Sequence, residues 1–315
     1  MIEARRLHIL RAVADHRTVT AAAAALYLTP SAVSQQLTAL EQETGHKLVE
    51  RGARGVRLTP AGEILLTHTN AVLAQLERAE AELAAYSTGE AGTVTLASFA
   101  TGIGLVVGPA LARLARTAPG IRVRVQDAEG DASLPMLLDR RIDVAVAVEY
   151  RGAPGADDDR ITRVALYAEP FDAVLPVAHR LADTERVPVA DLAKDTWIGP
   201  YPGNPCHDVV VLACEHAGFS PQFEHSSDDF RAVVALASAG AGVALVPRSA
   251  LVGMDLAEVV VRPIDGVAPT RKVFAAVRHG AERHPLIRPV IEALGEAAEG
   301  ETPGHAPIGT ERRSS

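Results

Sequence analysis

The chain has 315 residues, of which 48% are hydrophobic and 22% are charged, and its formal net charge is −8. This length exceeds one typical core and predicts two or three domains, while the composition is ordinary for a soluble globular protein. No stretch is apolar for long enough to span a bilayer, and the N-terminus MIEARRLHIL lacks a signal-peptide core, so we expect a cytoplasmic protein with no membrane partner.

The most informative segment runs from Thr18 to Leu40, with the sequence TVTAAAAALYLTPSAVSQQLTAL. It predicts two short helices joined by a turn at residues 27–29. Thr20 is the expected N-cap of the first helix, and Thr29 followed by Pro30 predicts the start of the second. Helical spacing predicts that the second helix packs inward through Val33, Leu37 and Leu40.

The opposite face of that second helix is polar and uncharged. Serine, threonine and glutamine can bind phosphates or base edges, and glutamine can pair with adenine in the major groove. An ordinary solvated helix face is the alternative that this segment leaves open. The candidate DNA-binding residues on or next to this helix are Thr29, Ser31, Ser34, Gln35 and Thr38.

A basic loop follows in LVERGARGVRLTPAGE, where Arg51, Arg54 and Arg57 surround two glycines. This composition predicts a wing that contacts phosphates. Up to residue 62 the chain has eight basic and five acidic residues, a formal charge of +3, which leaves −11 for the remainder. A basic head on an acidic body favours nucleic-acid binding at the N-terminus only.

The run from RRLHILRAVADH to RLTPAGE resembles the N-terminal domain of LysR-type transcriptional regulators, including the AA…L…SAVS…LE…G core and the closing R…LT.AG. The likeness extends along almost the whole chain. It implies a winged helix-turn-helix domain at residues 1–60, a linker helix at 61–88 and an effector-binding domain at 89–298. Residues 299–315 lack apolar periodicity and are expected to form a disordered tail.

The segment after Pro60 has no further proline or glycine between Gly62 and Gly89. Its apolar positions alternate four-then-three spacings, as in the seam of a coiled coil, and predict a dimerising helix. Pairing would place two recognition helices on a roughly palindromic site. The seam positions are Leu65, Thr69, Val72, Leu76, Ala79, Leu83 and Tyr86.

Beyond Gly92, apolar strand segments alternate with helical ones and predict an α/β fold with a buried, mostly parallel sheet. Two lobes are expected: lobe I at about 92–160 and 268–298, and lobe II at about 161–267. The resemblance implies that residues 268–298 return to lobe I, in a two-lobed fold resembling periplasmic binding proteins.

Ligands of open α/β sheets bind beyond the carboxyl ends of the strands, and the resemblance implies a small-molecule effector in the cleft between the lobes. For each candidate hydroxyl, simple helix capping is the alternative. Asp127 and Glu129, at the end of a strand, are set aside as solvated charges. The candidate effector-binding residues are Ser98, Thr101, Tyr201, Pro202, Gly203, Ser226 and Ser227.

Cys206 and Cys214 fall in one predicted helix, about 12 Å apart along its axis, so reduced thiols are expected. Peroxide-sensing members of the family carry a redox pair in a similar region, which leaves a redox role open. Metal-ligand spacings, a nucleophile elbow and a phosphate loop are absent from the sequence, so no metal, cofactor or catalytic residue is expected.

The expected function is therefore that of a regulator and not of an enzyme. Its expected partners are double-stranded promoter DNA, a small-molecule effector, further copies of the chain as a dimer or tetramer, and RNA polymerase. The alternatives are a ligand-binding or enzymatic α/β protein whose N-terminal helices serve assembly only, and a regulator that needs no ligand.

Overall fold

The computed structural model describes residues 2–52, 55–86, 91–150, 153–155 and 158–300. The α-helices are α1 (Ala4–His16), α2 (Val19–Ala25), α3 (Pro30–Thr44), α4 (Pro60–Tyr86), α5 (Ala100–Gly102), α6 (Gly108–Thr117), α7 (Gly130–Leu138), α8 (Pro205–His216), α9 (Phe230–Ser238) and α10 (Ile287–Gly300). The strands are β1 (Val49–Gly52), β2 (Gly55–Leu58), β3 (Gly92–Ser98), β4 (Ile121–Asp127), β5 (Val144–Val148), β6 (Ile161–Pro176), β7 (Trp197–Gly199), β8 (Phe223–Ser226), β9 (Ala244–Pro247), β10 (Val259–Pro263) and β11 (Thr270–Arg278).

The head domain, residues 2–58, consists of α1, α2, α3 and the β1–β2 hairpin. The predicted cap of α3 is confirmed, because the Thr29 hydroxyl accepts a hydrogen bond from the Ala32 amide at 3.2 Å. The predicted cap of α2 is wrong. Thr18, whose backbone is extended, caps that helix by accepting from the Ala21 amide at 3.0 Å, and Thr20 lies inside it.

Apolar side chains of all three helices form the core of the head domain. The inward positions predicted for α3 are buried, with Val33 and Leu40 at 0% exposure and Leu37 at 5%. Burial of an aliphatic side chain contributes about 1.5–3 kcal/mol, so this stripe holds α3 in place and leaves its polar face outside.

Helix α4 leaves the head domain through a close contact at Gly62, where an added Cβ would lie 2.1 Å from the Leu48 carbonyl oxygen. Its long axis then divides into two faces. One face is buried against its own chain and includes Leu73, Glu77 and Ala81. The exposed apolar side chains on the rest of the helix are Ile64, Val72, Leu76, Leu83 and Tyr86.

The main sheet of the two-lobed domain has the order β10-β6-β11-β5-β3-β4, with β9 paired to β6. Strand β3 is parallel to β4 and β5, whereas β11 is antiparallel to both β5 and β6, and β6 is antiparallel to β9 and β10. The sheet is therefore mixed and not mostly parallel as the sequence suggested. The difference arises because β11, late in the sequence, lies between β5 and β6 and is antiparallel to both.

Strand β6 belongs to both lobes. Its first part, from Ile161 to Pro170, pairs with β11 in lobe I, and its second part, from Phe171 to Pro176, pairs with β9 and β10 in lobe II. The passage between lobes thus lies within a continuous strand near 170, whereas the sequence placed a boundary at 161. Each lobe has its own apolar core, centred on residues such as Val144 and Leu294 in lobe I and Trp197 and Leu245 in lobe II.

Helix α10 packs on α6 and continues to Gly300, two residues into the predicted tail; residues 301–315 lie outside the described part of the chain. Among the described residues, no helix is both long and apolar enough to cross a membrane.

Candidate functional sites

The outer face of α3 is the first candidate site. Ser31, Gln35 and Thr38 are exposed and Ser34 is half-buried, so the structure gathers these predicted residues on one polar face. The Thr29 hydroxyl lies at the start of this face, where it caps the helix and lies 3.0 Å from the Ser31 hydroxyl. Hydroxyl and amide groups in this arrangement can donate to phosphates and can bind base edges.

The hairpin beside α3 carries the predicted wing arginines. Arg57 is exposed on β2, opposite Glu50. Arg51 lies in β1, but its side chain is outside the described part of the structure, as is the whole of Arg54. The Val56 amide donates to the Arg17 carbonyl at 2.7 Å, which ties the hairpin to the turn between α1 and α2.

Tyr27, which lies in the predicted turn at residues 27–29, is an exposed aromatic residue of the head domain. It has a left-handed backbone with φ of 55° and is 79% exposed, two residues before the cap of α3. A bulky residue in this conformation is uncommon, and its only sequence signal is its place in the LYLTP turn.

The second candidate site is the interlobe cavity, a cleft of about 1370 Å³ between lobes I and II. Its walls come from the start of α5, the end of β4, the start of α9 and the turn after β9. The residues that line it include Phe99, Thr101, Asp127, Glu129, Asn204, Cys206, Asp228, Arg231, Arg248, Ser249 and Arg271.

An ion pair forms the floor of the interlobe cavity. Arg271 on β11 is 1% exposed, and its Nε donates to Glu169 Oε1 at 2.7 Å. The second oxygen of Glu169 accepts from the Ser249 amide at 2.9 Å, and Arg271 also donates to the Thr101 hydroxyl at 2.9 Å. Buried charges need such complete pairing, so this network holds residues of both lobes in a defined arrangement.

The other two arginines that line the cavity have different hydrogen-bond partners. Arg248 forms a two-point ion pair with Asp172, with both N–O distances at 2.8 Å. Arg231 lies in the first turn of α9, where its amide donates to the Asp229 carboxylate that caps the helix.

Carboxylates surround the opposite wall of the cavity, where Glu129 precedes α7. Burial, and then the nearby carboxylate of Asp228, raises the pKa of Glu129 to about 7. Asp228 in turn accepts from the Tyr201 amide at 3.0 Å and from the Asn204 side-chain amide at 3.1 Å. The cavity therefore combines an acidic wall with a floor whose arginine is already paired.

The predicted effector residues are not all brought into this cavity. Thr101 lines it, whereas the hydroxyl of the fully buried Ser98 donates to the Phe99 carbonyl. Tyr201 is 55% exposed beside the cavity. The remaining predicted residues lie near Asp228, in the loop before α8 and at the end of β8, and do not line the cavity; they are Pro202, Gly203, Ser226 and Ser227.

Sequence reasoning missed the charged residues that shape the cavity. Glu129 was set aside as solvated, although its position at a strand end was the correct signal. Glu169 and Arg271 lie in strands and Arg248 follows β9, and none of them gave a local signal, because charged residues usually face solvent.

The two cysteines lie on α8, and both are buried with free thiols. Cys206, in the first turn, lines the cavity, and its Sγ lies 3.7 Å from an Arg271 nitrogen. Burial raises the pKa of Cys206 to about 11 and that of Cys214 to about 12. Within the described ranges, no three His, Cys, Asp or Glu side chains are grouped as metal ligands.

Comparison with known proteins connects both sites to one family. The profile of the bacterial regulatory helix-turn-helix proteins of the lysR family matches residues 4–63, and that of the LysR substrate binding domain matches residues 87–299. A probable hydrogen peroxide-inducible genes activator of Mycobacterium avium is 29% identical over 90% of this chain and 91% of its own length. The transcriptional regulator MetR of Escherichia coli is 29% identical over 98% of this chain and 93% of its own.

Solved structures agree with this relationship. Full-length OxyR from Pseudomonas aeruginosa has a TM-score of 0.63 at 20% identity, covering 97% of this chain and 99% of that one. Full-length CbnR in complex with its target DNA has a TM-score of 0.54 at 25% identity, covering 94% and 100%. The expected fold class is confirmed, and the chain belongs to the LysR family of transcriptional regulators, with a helix-turn-helix head and an effector-binding domain.

Proposed function

We propose that this regulator binds a roughly palindromic promoter operator as a homo-oligomer and responds to a small molecule in the interlobe cavity. The observation that carries the proposal is the exposed polar face of α3 on a basic head domain. Ser31, Ser34, Gln35 and Thr38 would face the major groove, and Arg51, Arg54 and Arg57 would contact phosphates. The protein would act by population shift, as a cytoplasmic regulator without catalysis.

Salt dependence of binding to the chain's own upstream DNA tests the DNA-binding proposal. Because phosphate contacts release counterions, the logarithm of the DNA association constant should fall linearly with the logarithm of the salt concentration. Arg57→Ala should reduce the steepness of this slope by roughly one unit, the value of one phosphate contact. Gln35→Ala should instead relax discrimination at one base pair by about 1–3 kcal/mol. Arg116→Ala, at the end of α6, is the matched control. No binding at low salt would overturn the proposal.

The proposed partner of α4 is a second copy of this chain. The predicted seam is exposed at Val72, Leu76 and Tyr86, whereas its position Thr69 is buried against its own chain. A 27-residue helix can bury the exposed stripe along the same helix of another subunit. Leu76→Glu should dissociate the oligomer in sedimentation experiments, whereas Gln75→Glu, on the same helix outside the seam, should not. If the Leu76→Glu protein sediments with the same oligomer mass as the wild type, this role is contradicted. Promoter assays with purified RNA polymerase would test that proposed partner separately.

The proposed effector would be held inside the interlobe cavity. A metabolite that binds only the folded state raises the unfolding free energy by about 2.7 kcal/mol at one hundred times its Kd, so a thermal-shift screen can find it. Gly104 lines the cavity, and an added Cβ there meets open space, which makes Gly104→Trp a suitable blocking variant. A stabilisation that persists in Gly104→Trp would place the metabolite elsewhere.

A further inference from the structure

The head domain is docked on lobe I of its own chain, at the C-terminal end of α7. The Leu138 carbonyl of α7 accepts from Arg11 of α1 at 2.8 Å. The next residue, Asp139, lies 3.0 Å from His16 Nε2 at the end of α1. Arg160 adds a third contact by donating to Asp15 of α1 at 2.6 Å. These contacts form what we call the α7 joint, comprising residues 11, 15 and 16 of the head domain and 137–140 and 160 of lobe I.

The linker helix reaches the same place. Arg278, the last residue of β11, donates to the Leu137 carbonyl at 3.2 Å and to Glu77 of α4 at 2.8 Å. Arg140 donates to the same Glu77 oxygen at 2.6 Å. The last carbonyls of a helix lack partners within it and carry partial negative charge. Arginines from β11 and from the head domain satisfy them here, and Arg11 and Arg278 are only 7% and 8% exposed.

The opposite end of α7 lies at the interlobe cavity. Glu129 precedes the helix and lines the cavity wall. Asp131 in the first turn faces lobe II, because a Cβ added to Gly203 would lie 3.9 Å from its carboxylate. The nine residues of α7 span about 13 Å. Strand β11 is a second link between the same two places. Arg271, near its start, lies in the cavity floor, and Arg278, at its end, binds Glu77.

We propose that α7 and β11 couple the interlobe cavity to the head domain of the same chain through the α7 joint. The proposal rests on the proposed function in that it takes the cavity as the regulatory site. Buried side chains such as Leu134 and Leu137 pack α7 on the sheet, so a displacement at the Glu129 end is carried to the joint and not absorbed by loose packing. Coupling of this kind is reciprocal: changing the joint changes the cavity equally.

Chemical crosslinking of the full-length protein tests the joint itself. His16→Cys and Asp139→Cys place thiols where the native side chains touch, and a short bismaleimide should link them within one chain. The product should run as a monomer on a denaturing gel, and the wild-type protein, whose two cysteines are buried, is the control. A dimer-sized product, or none, would overturn intrachain docking.

A double-mutant cycle on DNA affinity tests the coupling. Glu129→Lys places a cation among the cavity carboxylates and should change affinity for upstream DNA by about fivefold or more. With Arg11→Gln present, the same change should fall below about twofold, because the joint no longer transmits it. Arg113→Gln, which breaks an ion pair of α6 with Glu296 away from α7, should leave the full effect.

Each result decides between the two proposals. Equal effects of Glu129→Lys with and without Arg11→Gln, or no effect at all, would overturn the coupling while leaving DNA binding intact. Absence of DNA binding in every protein would overturn the proposed function instead, and the crosslinking rate with and without Glu129→Lys then gives the coupling directly. If Glu129→Lys fails to fold, Glu129→Gln replaces it, and if Arg11→Gln fails to fold, Asp139→Asn replaces it.

Discussion

Glu129→Gln should make the protein more stable than the wild type at high pH but not at low pH. Burial beside Asp228 raises the Glu129 pKa from 4.5 to about 7 in the folded state. Below pH 4.5 the carboxyl group is neutral in both the folded and unfolded states. Between pH 4.5 and 7 the unfolded chain loses this proton while the folded one retains it, so stability falls as the pH rises. Glutamine has no proton to lose there and avoids that penalty.

The size of the effect follows from the two pKa values. Each pH unit between them is worth about 1.4 kcal/mol, so the full difference is about 3 kcal/mol. That value is an upper limit, because Glu129 is only partly buried and water screens its charge. In a domain of this size each kcal/mol shifts the melting temperature by roughly 2–4 °C, which thermal unfolding can resolve.

Melting temperatures of the wild type and Glu129→Gln should be measured in steps from pH 4.5 to 8.5. The two curves should coincide at the acidic end, separate through the range from 4.5 to 7, and stay parallel above it. Glu224→Gln, an exposed glutamate on β8, controls for the loss of one surface charge. A constant difference between wild type and Glu129→Gln across the range would refute the burial of an uncharged Glu129.

Three further outcomes follow from the packing. Gly62→Ala should abolish DNA binding without unfolding the two-lobed domain, because its Cβ would lie 2.1 Å from the Leu48 carbonyl; a fully active variant in DNA titrations would contradict this. Glu169→Gln should lower the unfolding free energy by about 3–5 kcal/mol, since it leaves the buried Arg271 without a counter-charge, as denaturant titration would show. Cys206 should react slowly with iodoacetamide at neutral pH, because its raised pKa disfavours the thiolate. The intact mass of the protein should not change in peroxide, and a loss of two hydrogens per chain would point to a disulfide.

Local patterns predicted the head domain well, because the interactions that define it are close in sequence. The Thr29 cap and the Val33–Leu37–Leu40 stripe depend on neighbours within one or two helical turns. The exchange of Thr20 for Thr18 as the cap of α2 shows the limit of this reasoning. Both residues are threonines two positions apart, and only the extended backbone of Thr18 makes it the cap.

The interlobe cavity could not be predicted in the same way, because its chemistry comes from distant residues. Glu169 and Arg271 are 102 positions apart, and only the pairing of β11 with β6 brings them together. In the sequence, Arg271 stands beside Lys272 in TRKVFAAVR and has the appearance of an exposed strand charge. The structure buries Arg271 and leaves Lys272 exposed, because successive residues of a strand point to opposite faces.

Helix α4 contacts the α7 joint with one face and carries the proposed oligomer seam on another. The Leu76 side chain is exposed, while Glu77, the next residue, is held by Arg140 and Arg278 of lobe I. Rotation of α4 by one residue, about 100°, would put Glu77 in the seam and remove the carboxylate from two arginines. The linker helix therefore cannot turn alone. In the proposed oligomer, a rearrangement of the paired head domains would therefore move α4 and lobe I together, and lobe II, joined through β6 and the cavity, would move against them.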